Sequence, residues 1–341
     1  MTHRKTVVSV YALTHFFVDF ACAFLFFHSI DDAPTLYICF LLYNICAFAL
    51  QMPLGLLADR LNKNALCAAA GCVLVALAYG LTGVAAGAAV VAGIGNGLFH
   101  IGGGIDVLNT SNGKAGLLGV FVAPGAFGLF LGKLLGKQGG LPGIVIVLVL
   151  LAAAALILRL RFSKEKRFDS ENAPVGFDKA GSPAVLAAAL CLLLVVCLRS
   201  YVGMTLSFDW KGDGYWGWAL IAAVVLGKTA GGFLADRFGA LRTSIVSLAL
   251  AAGLFLLPDV PAAGAAAVFL FNMTMPVTLW ALVRLFPGAK GFAFGLLTFG
   301  LFLGFVPVYL GYPPLLTTGA GFALASCASL GLLLVGLRRT L

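Results

Sequence analysis

Along this chain the apolar positions form long unbroken runs and the polar positions form short clusters between them. Twelve runs stand out: 6–29, 35–57, 65–85, 87–109, 115–136, 141–160, 183–206, 215–235, 242–257, 262–284, 290–311 and 316–337. A helix crossing the hydrocarbon core of a bilayer needs about 20 mostly apolar residues, and each run is near that length. The runs are continuous rather than alternating, which excludes the period-two strands of a membrane barrel. The pattern predicts an all-α integral membrane protein with twelve transmembrane helices. One polar stretch is long, 162–182, and it holds both glutamates of the chain, Glu165 and Glu171. It separates six runs from six. The expected organisation is an N-terminal six-helix bundle over 1–161, a linker over 162–182 and a C-terminal six-helix bundle over 183–341. A linker of that length leaves two bundles free to rock.

Composition agrees. Hydrophobic residues make up 61% of the 341 residues and charged residues 10%, with a mean hydropathy of +1.05. A soluble domain of this size needs far more polar surface. The 43 glycines suit close helix packing in lipid. The net charge of +9 reports topology. Placing both termini in the cytoplasm puts 17 of the 22 Lys and Arg residues on the inner side, as the positive-inside rule requires. Lys137 and Lys211 fall outside, and Lys133, Arg199 and Lys228 lie within helices. Basic residues spread thinly over short turns exclude a nucleic-acid partner. The start, with Ala21-Cys22-Ala23, resembles an export signal. Its apolar run continues past that site and contains His15 and Asp19, so the first helix is expected to stay. All eight cysteines fall in predicted helices without metal-type spacing; they read as packing residues, not disulfides. No cofactor or metal set is implied, and no HExxH, GxSxG or paired-carboxylate motif suggests an enzyme.

One short pattern occurs twice, half the chain apart. Residues 55–60 read Gly-Leu-Leu-Ala-Asp-Arg and residues 232–237 read Gly-Phe-Leu-Ala-Asp-Arg. Each copy ends the second helix of its half. A carboxylate at a helix C-terminus opposes the helix dipole, so Asp59 and Asp236 each need a specific partner. Arginine forks and the next helix's N-terminus are the available ones. Gly55 and Gly232 allow close helix approach. Internal duplication at one topological place is the layout of a two-bundle secondary transporter.

The paired motif resembles the cytoplasmic signature of the major facilitator superfamily. The second copy, with Gly239 after Asp236-Arg237, matches well; the first ends differently, Leu61-Asn62-Lys63-Asn64. The resemblance implies two pseudo-symmetric bundles that the motif residues Gly55, Asp59, Arg60, Gly232, Asp236 and Arg237 latch in an outward-open state. Residues 93–100, 121–132 and 198–203, with Thr14-His15 and Asp19, resemble the fosmidomycin-resistance branch of drug–proton antiporters. In that branch Pro-Glu follows the fourth-helix His, whereas Ile101-Gly102 follow His100 here. Residues 119–128 resemble the fifth-helix motif of exporters. Gly119, Pro124 and Gly128 match, and Ala123 and Phe127 replace glycines. The resemblance gives Pro124 a gating role.

Ionisable side chains inside a membrane are costly and usually face a cavity or a partner. Tyr11, His15 and Asp19 share one face of the first helix through i, i+4, i+8 spacing. An Asp beside a His can hold and pass a proton near neutral pH, and a buried structural pair is the alternative. His100 sits among glycines of the fourth helix, which permit close approach of backbone or ligand. Asp106 lies about 240° around that helix from His100, nearer the inner end. Arg199 and Lys228 have no acid at i±3 or i±4. They could neutralise Asp19 or Asp106, or bind a substrate anion. Lys133 reads as snorkelling. In the superfamily the first, fourth, seventh and tenth helices line the cavity, which adds Tyr11, Asn96, Asn272 and Trp280 to Arg199 and Lys228 as expected substrate contacts.

The expectation is a monomeric, proton-coupled, alternating-access transporter of the bacterial cytoplasmic membrane. Its partners are lipid, protons and a small organic compound, in this reading an anion that is exported. Asp19, His15 and His100 would carry the proton. An importer working by proton symport is the alternative, and a receptor or scaffold a remote one.

Overall fold

A computed structural model describes residues 2–30, 32–162, 175–177, 182–312 and 316–340. Most of the expected linker, with Glu165 and Glu171, lies outside the described residues. Every predicted run is helical, with ends shifted by a few residues. The first six helices are α1 (Thr2–Ser29), α2 (Pro34–Leu61), α3 (Asn64–Ala78), α4 (Ala85–Ser111), α5 (Ala115–Gln138) and α6 (Gly143–Phe162). The last six are α7 (Pro183–Thr205), α8 (Trp216–Phe238), α9 (Ala240–Phe255), α10 (Pro261–Leu285), α11 (Lys290–Tyr309) and α12 (Gly319–Leu337). Eleven are long and apolar enough to cross a membrane, and α9, with 16 residues, is shorter. Large apolar side chains point outward, Leu148 at 60% and Leu190 at 55% exposure. Such surfaces suit lipid rather than water. The chain is a multi-pass membrane protein.

Two helices are interrupted, each four residues before a proline. Pro53 has no N–H for the carbonyl of Ala49, and Ile45–Ala49 of α2 is wound as a π-helix. The side chain of Gln51 donates to the Ala47 carbonyl at 2.5 Å. Pro276 likewise cannot bond Asn272, and α10 breaks there: the Met273 N–H bonds Leu270 at 3.2 Å, a tighter turn. Local rewinding of this kind is how membrane helices accommodate proline.

Helix ends explain the irregular first motif. Gly239 ends α8 with φ 90°, and Asn62 ends α2 with φ 49°. Asparagine is among the few residues that tolerate the left-handed region, so Asn62 does the work of the missing glycine.

Contacts group the chain into two units. The first holds residues 1–112, 124–175 and 288–299, and the second holds 113–123, 176–287 and 300–341. Helix α5 changes unit at Pro124, and α11 changes unit at Gly300. Within the first unit α4 is central, packed by α1, α2 and α3. Its glycines are filled by neighbouring helices: a Cβ on Gly95 would meet the backbone of Gly71 in α3, and one on Gly93 would meet Tyr43 and Cys46 in α2. These two glycines serve helix packing rather than ligand approach. The eight cysteines are free thiols.

Candidate functional site

Helices α1 and α4 pair three polar residues of one with three of the other. Tyr11 donates to Asp106 Oδ2 at 2.5 Å. His15 Nε2 and His100 Nε2 are 2.8 Å apart. Asn96 Nδ2 donates to Asp19 Oδ1 at 2.9 Å. The rising order 11, 15, 19 meets the falling order 106, 100, 96, so the helical face read from α1 is matched by a polar face on α4. All six residues are buried. Asp106, toward the inner end of α4, accepts from Tyr11. Tyr11 and Asn96, expected as substrate contacts, each hold an acid.

The centre of this ladder brings three titratable side chains together. His15 Nε2 is 3.2 Å from Asp19 Oδ2, and His100 Nε2 is 3.8 Å from Asp19 Oδ1. His100 Nδ1 lies 2.9 Å from the Asn96 carbonyl oxygen. That oxygen only accepts, so Nδ1 carries a hydrogen. The Nε2 atoms of the two rings then share a single proton, which either ring can hold. When His15 holds it, the same N–H also lies beside the Asp19 carboxylate. His15, Asp19 and His100 place one donor atom each within 4.8 Å of one another, and they are the described residues with the geometry to hold a metal ion. Two nitrogens on one tetrahedral zinc stand about 3.3 Å apart, given bonds near 2.0 Å. The 2.8 Å contact is a hydrogen-bond length.

Helix α5 covers this cluster at a glycine that the sequence analysis did not single out. A Cβ on Gly125 would meet His15 Nε2 and Asp19 Oδ2. The residue follows Pro124, where α5 changes unit. The available signal was a glycine directly after Pro124. Lys133, further along α5, is exposed and lies over the Phe27 ring at 5.3 Å.

The two motif aspartates have found the same kind of partner. Asp59 accepts from Gly291 N at 2.8 Å and Phe292 N at 2.9 Å. Asp236 accepts from Ala115 N at 2.8 Å and Gly116 N at 2.9 Å. The partners are the N-termini of α11 and α5, where free N–H groups and the dipole favour a carboxylate. The expected next-helix N-terminus is corrected in both cases, and the neighbouring Arg60 and Arg237 are exposed. A Cβ on Gly55 would meet the Gly291 carbonyl, and one on Gly232 would meet the Ala115 carbonyl. Each Gly-x-x-x-Asp therefore makes one clamp, in which the glycine admits the helix start and the aspartate holds it.

In the second unit Arg199 of α7 is 6% exposed. Its Nη2 donates to Thr278 Oγ1 at 3.0 Å and Thr274 Oγ1 at 3.2 Å, both on α10. Its Nε and Nη1 have no hydrogen-bond partner. The remaining expected contacts are dispersed. Asn272 is half-buried and donates to the Val268 carbonyl at 2.9 Å. Trp280 donates to the Gly113 carbonyl at 2.6 Å, with Arg284 over its ring at 4.7 Å. Lys228 is half-buried, with its carbonyl facing Gly119.

Twelve helices among the described residues, a duplicated aspartate clamp and a buried Asp–His–His cluster define a class of helical membrane protein. No family model matches the sequence, and no curated protein matches it. Solved structures do. The E. coli fucose:proton symporter FucP aligns with a TM-score of 0.65 at 12% identity, covering 100% of both chains. The human organic anion transporter MFSD10 aligns at 0.63 and 16% identity, covering 97% of this chain and 99% of the other. The proton:xylose symporter XylE aligns at 0.62 and 12% identity, covering 100% and 96%. At such identities the likeness establishes the fold: the chain has the major facilitator fold.

Proposed function

We propose that this protein is a proton-coupled secondary transporter working by alternating access. It sits in a bacterial cytoplasmic membrane with both termini inside, acts as a monomer and exports a small organic compound. The two sequence halves, 1–161 and 183–341, are its moving parts, and 162–182 joins them. The observation that carries this reading is the Asp19–His15–His100 cluster. A buried acid touching two imidazoles, one proton shared between the rings, has no structural need for three titratable groups. It suits reversible proton binding. A proton that binds more tightly in one conformation than the other shifts their populations. The Asp59 and Asp236 clamps favour one of these conformations.

Import by proton symport is the second reading. It is favoured by Ala123 and Phe127, which stand where exporters carry glycine, and two of the structural neighbours are proton symporters by name.

The test is proton flux in proteoliposomes containing a pH-sensitive dye, with a panel of organic anions, cations and sugars. Native protein should move protons with at least one compound, and Asp19→Asn should abolish that movement while remaining folded. Transport without proton movement would overturn the role of the cluster. Dye acidification or alkalinisation against a known substrate gradient separates export from import.

A further inference from the structure

We infer that Arg199, Thr274 and Thr278 form a binding site for an organic oxyanion, a carboxylate or a phosphate ester, in the second unit. This names the substrate class of the transporter proposed above and rests on that reading for its physiological meaning, though not for binding itself.

The argument starts from charge. A guanidinium inside a membrane protein is expensive unless it is paired. Arg199 is buried, and no carboxylate among the described residues lies within ion-pair distance of it. Asp19 and Asp106, which could have neutralised it, take their hydrogen bonds from Asn96 and Tyr11 within the first unit. The threonines do not neutralise Arg199; they aim it. Thr274 Oγ1 donates to the Phe271 carbonyl at 3.1 Å and Thr278 Oγ1 donates to the Thr274 carbonyl at 2.7 Å. Their protons are committed, so each presents a lone pair to Arg199 Nη2. Both Nη2 hydrogens are thereby occupied and the plane of the guanidinium is fixed against α10. The three N–H donors left, one on Nε and two on Nη1, are the unpartnered ones. A rigidly held arginine with spare donors and an unbalanced charge is the arrangement that recognises an oxyanion. The Thr274 end of the site also lies beside the break in α10 at Met273. Substrate sites in transporters favour such interrupted helices.

The experiment measures binding without transport. Purified native protein in detergent is titrated with acetate, benzoate, succinate and inorganic phosphate, with benzamide as the neutral match to benzoate. Thermal unfolding is read by tryptophan fluorescence. At least one oxyanion should raise the melting temperature saturably, while benzamide should not. Arg199→Gln should weaken that binding about tenfold or more, the loss expected for a charge-assisted contact. Arg199→Lys, which keeps the charge but not the fork, and Thr278→Val, which frees the plane, should weaken it less. These two variants keep the test decisive if Arg199→Gln fails to fold. Carboxylate and phosphate arms separate the two oxyanion types. Binding is read without proton movement, so an oxyanion that stabilises the protein where proton flux is absent keeps failure of proton coupling distinguishable from failure of this site. No stabilisation by any oxyanion, equal stabilisation by benzamide, or native affinity in Arg199→Gln and Arg199→Lys would overturn the inference.

Discussion

Asp59→Asn is the sharpest probe of the clamps. The Asp59 side chain is half-buried, and each carboxylate oxygen accepts one backbone N–H from the start of α11. Asparagine keeps the shape and one oxygen, but it turns an NH2 group toward the second backbone N–H. One hydrogen bond to a charged acceptor is lost, worth about 1.5–3 kcal/mol. The favourable charge at a helix N-terminus, about 0.3–1 kcal/mol, goes with it. After discounting for partial exposure, roughly 2 kcal/mol remains, a shift of about 30-fold toward the state in which the start of α11 is released. A cysteine placed at Ala289, a residue with 0% exposure, reports that release in a background without the native cysteines. Maleimide should label Ala289→Cys about 30-fold faster when Asp59→Asn is present. The matching pair, Asp236→Asn with Ala115→Cys, should show a smaller rise. Asp236 is the more exposed aspartate, and solvent weakens its hold. Labelling at the native rate in Asp59→Asn would refute the idea that this carboxylate holds the helix.

Three further outcomes follow from side-chain geometry. Gly125→Ala puts a methyl against His15 Nε2 and Asp19 Oδ2; overpacking costs about 1–3 kcal/mol, and the protein should fold yet lose proton flux in liposomes. Native flux in Gly125→Ala would show that α5 yields there. Tyr11→Phe removes the 2.5 Å donor to the buried Asp106 carboxylate and should lower thermal stability by about 1–3 kcal/mol. A double variant with Asp106→Asn should fall short of the summed losses, and strict additivity would mean the two residues act separately. Asn62→Gly should leave stability nearly unchanged, whereas Asn62→Val should cost about 1–2 kcal/mol for the left-handed backbone; equal melting curves for both would contradict the φ of 49°.

The helices were legible because an apolar run of membrane length has one stable solution in lipid. The face carrying Tyr11, His15 and Asp19 was legible because three residues at fixed spacing on one helix need no knowledge of the neighbour. What those residues touch was not. A helical projection sets Asp106 away from His100, yet both side chains meet α1. It says nothing of how far a tyrosine side chain on α1 reaches, so the Tyr11–Asp106 bond escaped it. The motif aspartates were expected to find partners close in sequence, because dipole arguments run along one helix. Their partners, at 291–292 and 115–116, are set by packing between helices distant in the chain. Gly125 escaped for a related reason, since a glycine's role depends on which atoms stand where its Cβ would be.

The placement of charge bears on how coupling could work. Both deep acids and both deep histidines have partners inside the first unit, while Arg199 has its threonine partners inside the second. On the roles proposed above, a proton at Asp19 and an oxyanion at Arg199 would not compete for one charge. Their linkage must then pass through the balance between two conformations, each ligand favouring one of them. Helix α5 has the connections such a linkage requires. Its start is held by Asp236 in the second unit, and Gly125, one residue after the change of unit at Pro124, lies against His15 and Asp19 in the first. A change in the size or charge of that pair on protonation would press on α5 at the glycine, where there is no room for a Cβ. The clamp at its other end is the element able to give way. On this reasoning Gly125→Ala acts on both sides: it disturbs the proton cluster and also speeds labelling at Ala115→Cys. A purely local defect would leave that labelling unchanged.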